Sequence, residues 1–208
     1  MERVSILFLP ALLNLVMGGG IYYFLYLQTG SYEKATEQFQ YWPVIYIPLI
    51  SIFFMHVFSK VLKRHHQNIF DIKLRDLKNS LLGLAVGFIG GIGLYFLIRE
   101  SEPSFTHVNY PLAFQMLNIV GLMVIAPLSE EFIFRRYTKF LFSLKQKPIW
   151  LAALVSGLSF SLWHANLFII PIAFFVGIGF YMLYHKTNNL LTTILAHSAL
   201  NLVLFLFI

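Results

Sequence analysis

The chain has 208 residues, of which 58% are hydrophobic and only 12% charged, and its mean hydropathy is +0.73. This composition is too apolar for an ordinary soluble domain and predicts an integral membrane protein. The formal net charge of +6 does not indicate nucleic-acid binding, because the basic residues lie in short loops beside apolar runs, where they set topology. The absence of cysteine excludes a thiol nucleophile, thiolate metal ligands and disulfides.

Long runs that are hydrophobic on all faces predict helices that span the membrane. The predicted spans cover residues 4–27, 41–62, 79–98, 111–128, 148–164, 167–184 and 190–208. The first run is longer than the apolar region of a signal peptide, and no small-residue cleavage site follows it, so we interpret it as a retained helix. The expected fold is an all-α polytopic membrane helix bundle of about seven transmembrane helices, forming a single domain over residues 1–208.

The segment from Lys60 to Lys78 is strongly basic. Its apolar side chains recur at helical spacing, at Phe70, Leu74, Leu77 and Leu81. The pattern predicts a short interfacial helix that lies on an anionic leaflet.

Three glycines in the third span are spaced four residues apart, at Gly83, Gly87 and Gly91. They form a flat stripe along which another helix can approach closely. Close packing explains these glycines without a ligand.

The basic residues are distributed unequally between the two sides of the membrane. If the amino terminus is cytoplasmic, 13 of the 15 Lys and Arg residues fall in inner segments, and only Lys34 and Arg99 lie outside. This bias predicts a cytoplasmic amino terminus and an external carboxyl terminus.

Two acids and two bases interrupt the apolar sequence in the stretch PLSEEFIFRR, residues 127–136. An ionisable residue at bilayer depth costs about 2.5–3.5 kcal/mol on insertion scales, so a functional role is the first interpretation. Residues four apart share a helix face, so Glu131 is expected to reach Arg135. Glu130 has Phe134 four residues ahead and therefore no local cation, which makes it the better candidate for chemistry. The alternative is a cytoplasmic charge cluster that only fixes orientation.

Two further pairs lie in later spans, each four residues apart on one helix face: an aromatic with a histidine, Phe160 and His164, and a histidine with an amide, His197 and Asn201. Either pair alone is explained by interhelical hydrogen bonding. Together with Glu130 they supply a base for water, a helper and donors for an oxyanion, which suits acyl hydrolysis without a covalent nucleophile. The same carboxylate and two imidazoles, Glu130, His164 and His197, are also a zinc ligand set, but no His-Glu-x-x-His sequence is present, so metal-free catalysis is favoured.

At these motifs the chain resembles the CAAX prenyl endopeptidase and bacteriocin-processing family of intramembrane proteases. That family has Glu-Glu-x-x-x-Arg, then Phe-x-x-x-His, then His-x-x-x-Asn, each on a transmembrane helix, and every motif position is present here within residues 111–208. The resemblance implies peptide-bond hydrolysis in the membrane, with Glu130 and His164 activating water and His197 and Asn201 stabilising the oxyanion. Glu131, Arg135 and Phe160 are then structural supports, and no cofactor is expected.

The implied substrate is a membrane-associated peptide or protein. Chain length favours a bacterial member, in the cell membrane, linked to bacteriocin maturation or self-immunity rather than to prenylated proteins. The main alternative is a membrane scaffold or immunity protein that binds a peptide in the same pocket without cutting it. A small transporter is a third possibility, but inverted repeats are missing.

The predicted spans place the candidate site residues at different depths in the membrane. On straight helices Glu130 falls near the cytoplasmic surface, His197 about 12 Å deep and His164 more than ~20 Å deep, at 1.5 Å per residue. Their convergence therefore requires tilted or broken helices around a water-filled cavity.

Overall fold

The computed structural model describes residues 3–68, 70, 72, 73, 76–98 and 111–207, and within these it contains helices and no strand. The helices are α1 (Leu9–Thr29, preceded by the 3₁₀ segment Val4–Phe8), α2 (Tyr32–Phe39), α3 (Pro43–Arg64), α4 (Leu77–Ile98), α5 (Leu112–Leu144), α6 (Ile149–Trp163), α7 (Ile169–Thr187) and α8 (Leu190–Phe207).

Six of the described helices are long and apolar enough to cross a membrane: α1 counted from Val4, α3, α4, α5, α7 and α8. The apolar helix α6 is shorter, at 15 residues. Large apolar side chains such as Leu15, Ile89 and Leu112 are exposed on these helices, as a surface in contact with lipid requires. The expected all-α polytopic bundle is confirmed, and the seven predicted spans correspond to these six helices and α6.

The short interfacial helix was predicted in the wrong place. The described residues between Arg64 and Leu77 are not helical, while Leu77 and Leu81 belong to α4; Leu74 lies outside the described residues. The short helix between spans is instead α2, which Ser31 caps by accepting a hydrogen bond from the Lys34 backbone N–H. Arg99, which was expected on the outer side, also lies outside the described residues.

The predicted end of the fourth span at residue 128 is wrong, because α5 is 33 residues long and ends only at Leu144. It neither stops nor restarts at Pro127. Two π-helical segments, Gly121–Ile125 and Phe132–Tyr137, interrupt its α-helical hydrogen bonding. The helix can pass through the charged stretch because Glu131 and Arg135 form an ion pair inside the bundle and the Glu130 carboxylate accepts a hydrogen bond from Trp163.

Glycines position the helices around α5. In α4 the buried residues are Gly83, Gly87 and Gly91, and the helix packs along α8. A β-carbon at Gly83 or Gly87 would overlap the carbonyl oxygen of Thr192 or Ala196. The close approach predicted from the glycine stripe is therefore present, and it holds α8, which carries His197, in a fixed register against α4.

Candidate active site

The acidic motif lies at the middle of α5, surrounded by α3, α6 and α8. Glu131 and Arg135 are both fully buried, and Oε2 of Glu131 lies 3.1 Å from Nε of Arg135, as the four-residue spacing predicts. Arg135 also donates through Nη1 to the Ser156 hydroxyl on α6 at 3.3 Å. One carboxylate and one hydroxyl thus accompany the buried guanidinium of Arg135 and offset part of its desolvation cost.

Phe160 lies at the centre of this packing. The guanidinium of Arg135 lies 4.4 Å from the centroid of its ring, close enough for a cation–π interaction. The ring also contacts His164 and His197, at centroid distances of 4.7 and 5.7 Å. One aromatic side chain therefore fixes the relative positions of the arginine and both histidines.

Glu130 is 5% exposed, and its carboxylate lies beside side chains of α6 and α8. Trp163 Nε1 donates a hydrogen bond to its Oε1 at 2.9 Å. Its Oε2 lies 3.9 Å from Nε2 of His197. A water molecule can hydrogen-bond to both of these atoms at once, because two bonds of about 2.8 Å can meet at an angle across that separation.

His197 bridges the two glutamates. Its Nδ1 lies 3.0 Å from Oε1 of Glu131. Because Glu131 is paired with Arg135 as a carboxylate, it accepts, so the Nδ1 atom carries the proton and Nε2 is directed to Glu130. Glu131 therefore does more than the sequence indicated, since it holds both Arg135 and the imidazole of His197.

His164 follows the last residue of α6 and is half-buried. Its Nδ1 lies 2.9 Å from the carbonyl oxygen of Phe160, and since a carbonyl accepts, this nitrogen is the protonated one. His164 is joined to the rest of the site through the Phe160 ring, which contacts both histidines. Within the described part of the chain, however, the imidazole nearest to Glu130 is that of His197.

Asn201 hydrogen-bonds to α5 rather than to the glutamates. Its Nδ2 donates to the carbonyl oxygen of Leu122 at 2.8 Å, and the Ser198 hydroxyl donates to that of Met123 at 2.9 Å. These carbonyls lie in the first π-helical segment, where the Ala126 N–H bonds to Gly121 and Pro127 has no N–H to offer. Both α8 side chains thus compensate for Pro127.

Helices α5, α6 and α8 bring the residues of the site to a common depth in the bundle. Lys139 and Asn188 are in contact at one end of the bundle. From that level, Glu131 lies eight residues away along α5 and His197 nine residues away along the chain, so both are about 12–14 Å further in. The expected difference in depth between Glu130 and the histidines is therefore absent. Because α5 extends beyond residue 128, Glu130 lies well inside the helix and not at its end.

Two residues that contribute to the site, Asn14 and Trp163, are not part of the three motifs. Asn14 on α1 is buried, and its Nδ2 donates to the carbonyl oxygen of Trp163 at 2.6 Å. The sequence could have indicated Asn14, because a carboxamide inside an apolar span needs a hydrogen-bond partner. Trp163 stands between the two motif positions of its helix, and helix spacing alone does not indicate that its indole reaches Glu130.

The alternative zinc site has no preformed geometry. Among the described residues, no group of three His, Asp or Glu side chains is arranged to hold a metal ion, and this includes Glu130, His164 and His197. The nitrogen Nδ1 of each histidine is engaged by an oxygen acceptor. Metal independence stays a prediction.

Residues 112–203 match the family described as type II CAAX prenyl endopeptidase Rce1-like. The matched segment begins with α5 and contains all seven motif residues, so the resemblance indicated by the three motifs is confirmed. No curated protein and no solved structure matches the chain.

Proposed function

We propose that this chain, whose residues 112–203 match the Rce1-like CAAX endopeptidases, hydrolyses a peptide bond of a membrane-associated peptide or protein with water activated by Glu130. The observation that carries the proposal is the placement of the Glu130 carboxylate. It is buried, is held by the Trp163 indole, and has one oxygen 3.9 Å from the His197 imidazole.

In the proposed reaction, Glu130 accepts a proton from water while the water oxygen attacks the carbonyl carbon of the substrate. The carbonyl electrons move to its oxygen and form a tetrahedral oxyanion. When the carbon–nitrogen bond breaks, Glu130 returns the proton to the leaving amine. The carboxylate thereby acts as base and then as acid, and no group is left modified.

The neighbours of Glu130 have separate roles in this proposal. His197 is held through Nδ1 by Glu131, and its Nε2 is available to the water or to the oxyanion, depending on its protonation. His164 is the second imidazole of the site. Asn201 has one amide N–H engaged with Leu122 and a second N–H that can serve as an oxyanion donor.

The test uses the purified chain in liposomes with membrane-anchored peptides, both prenylated and unmodified, and mass spectrometry of the products. Glu130→Gln, which keeps the shape of the side chain, is the matched inactive variant. Cleavage by the native chain and its loss in Glu130→Gln are expected. Equal product from both proteins would exclude Glu130 as the base.

Treatment with a metal chelator distinguishes metal-free hydrolysis by Glu130 from hydrolysis by a zinc-bound water. A glutamate-activated water is insensitive to chelation, whereas a zinc-bound water is lost with the metal. We expect the cleavage rate to be unchanged after dialysis against 1,10-phenanthroline.

A bacterial setting and a role in bacteriocin maturation or self-immunity belong to the proposal as well, and an adjacent leader-peptide gene would support them.

The competing function is a scaffold that binds a peptide without cutting it. A binder needs the shape of the pocket more than proton transfer, so Glu130→Gln would retain its biological function. Full function of this variant in cells would therefore favour the scaffold over the protease.

A further inference from the structure

A second polar site lies away from Glu130, at the end of the bundle where α3 and α5 end and α8 begins. It is an open cavity of about 240 Å³. The lining residues come from three parts of the chain: Gln67, Asn68, Arg136, Lys139, Phe140, Ser143 and Asn188. Since a water molecule takes about 30 Å³ of liquid volume, the cavity has room for a phosphate group.

Arg136 supplies an incompletely satisfied cation to this cavity. Its side chain is 6% exposed. It donates through Nη2 to the backbone carbonyl of Asn68 at 2.6 Å, while its buried Nε has no hydrogen-bond partner. A buried guanidinium donor without an acceptor is unfavourable, and an anionic oxygen is the acceptor that suits it best.

Lys139 is the second cation in the lining, one turn further toward the end of α5. Its ammonium contacts the side-chain oxygen of Asn188 and lies 4.8 Å from the centroid of the Tyr184 ring. No carboxylate occurs among the described residues that line the cavity. Among the residues that the structure describes, the lining therefore combines two cations with neutral hydrogen-bonding groups.

The position of the cavity favours a lipid as the source of the anion. It opens at the end of the bundle that carries the exposed basic loops, including Lys145 and Lys147, on the side predicted to be cytoplasmic. Basic pockets between spanning helices on this side bind anionic headgroups, and juxtamembrane Lys and Arg residues attract an anionic leaflet. We infer that this cavity binds the phosphate of an anionic phospholipid, with Arg136 as the principal contact. The inference is independent of proteolysis.

The test measures lipid binding by the full chain in neutral detergent. Phosphatidylglycerol or phosphatidylcholine is added to the protein as mixed micelles with the same detergent. Binding of each lipid is followed by native mass spectrometry and by thermal unfolding. Inorganic phosphate and glycerol phosphate are titrated in parallel to distinguish a free anion from a headgroup.

Two variants remove the site in different ways. Arg136→Gln removes the charge. Ser143→Phe fills the cavity at an exposed position, whose hydroxyl donates to the Phe140 carbonyl in its own turn and to no other described residue. Lys147→Gln is the matched control, since it removes a basic residue from the same end of the bundle without touching the lining.

We expect phosphatidylglycerol to bind more tightly than phosphatidylcholine to the native chain and to Lys147→Gln. Loss of a hydrogen bond to a charged group should weaken phosphatidylglycerol binding about tenfold or more in Arg136→Gln, and Ser143→Phe should do the same. If Arg136→Gln does not fold, Ser143→Phe decides the outcome. Native affinity in Ser143→Phe, equal affinity for the two lipids, or saturation of the same site by free phosphate would each overturn the inference.

Discussion

The indole nitrogen of Trp163 lies 2.9 Å from Oε1 of Glu130, and the backbone carbonyl of the same tryptophan accepts a hydrogen bond from Asn14. One residue at the end of α6 therefore joins the proposed base to α1. The contact fixes one carboxylate oxygen and leaves the other directed to His197, which is the orientation that a general base for water needs.

Trp163→Phe should reduce cleavage about tenfold, because Glu130 loses the donor that orients it, while the aromatic ring is retained. Trp150→Phe on the same helix is the control, since Trp150 is exposed and has no such contact. Initial rates and unfolding temperatures measured for both variants would decide this. A rate loss that tracks a lowered unfolding temperature would mean that Trp163 supports packing rather than Glu130.

Glu130→Gln should lower the cleavage rate by about 10²–10⁴-fold without unfolding the protein, because glutamine cannot accept the proton. Glu131→Gln should mainly reduce stability, by about 3–5 kcal/mol, because it leaves Arg135 buried without its ion pair. Rates in liposomes and thermal unfolding of the purified variants measure the two effects separately. A stable, fully active Glu130→Gln protein contradicts the first expectation.

Asn201→Ala should lower the rate by about 10²–10³-fold if its amide stabilises the oxyanion. Ser198→Ala is the natural comparison, because both side chains donate to α5 carbonyls next to Pro127. We expect similar small losses of stability in the two variants but a much larger loss of rate for Asn201→Ala. Equal rates would assign Asn201 to helix packing alone.

Gly87→Ala should destabilise the bundle by at least about 1–3 kcal/mol, since the added methyl group overlaps the Ala196 backbone and neither helix can relax locally. Gly93→Ala on the same helix has open space around the new methyl group and should be neutral or stabilising. Unfolding temperatures of the two variants in detergent provide the measurement. Equal stability would show that α4 and α8 can separate without cost.

The amino terminus should be cytoplasmic and the carboxyl terminus external, because this orientation leaves only Lys34 and Arg99 outside. Reporter fusions at the turn 145–148 and at the carboxyl end test the two sides independently. A cytoplasmic signal from the carboxyl-terminal fusion would mean that α6 does not add a crossing of its own, which its length of 15 residues makes the point to examine.

Local sequence determined much of this protein, because helical spacing and hydrophobicity act within one element. The apolar runs predicted the spanning helices, the four-residue spacing predicted the pair of Glu131 with Arg135, and the glycine stripe predicted a close helix contact. The three motifs identified the resemblance that the family match confirms.

Tertiary structure decided which helices meet and at what depth. The sequence did not indicate that α5 continues to Leu144, because its charges are stabilised by each other and by side chains of other helices rather than by water at a span end. Nor did spacing predict that Trp163 reaches Glu130, that His197 shares Glu131 with Arg135, or that Asn201 donates to Leu122. Each of these contacts joins two helices, and their register depends on side-chain packing along the whole interface, which no single helix specifies.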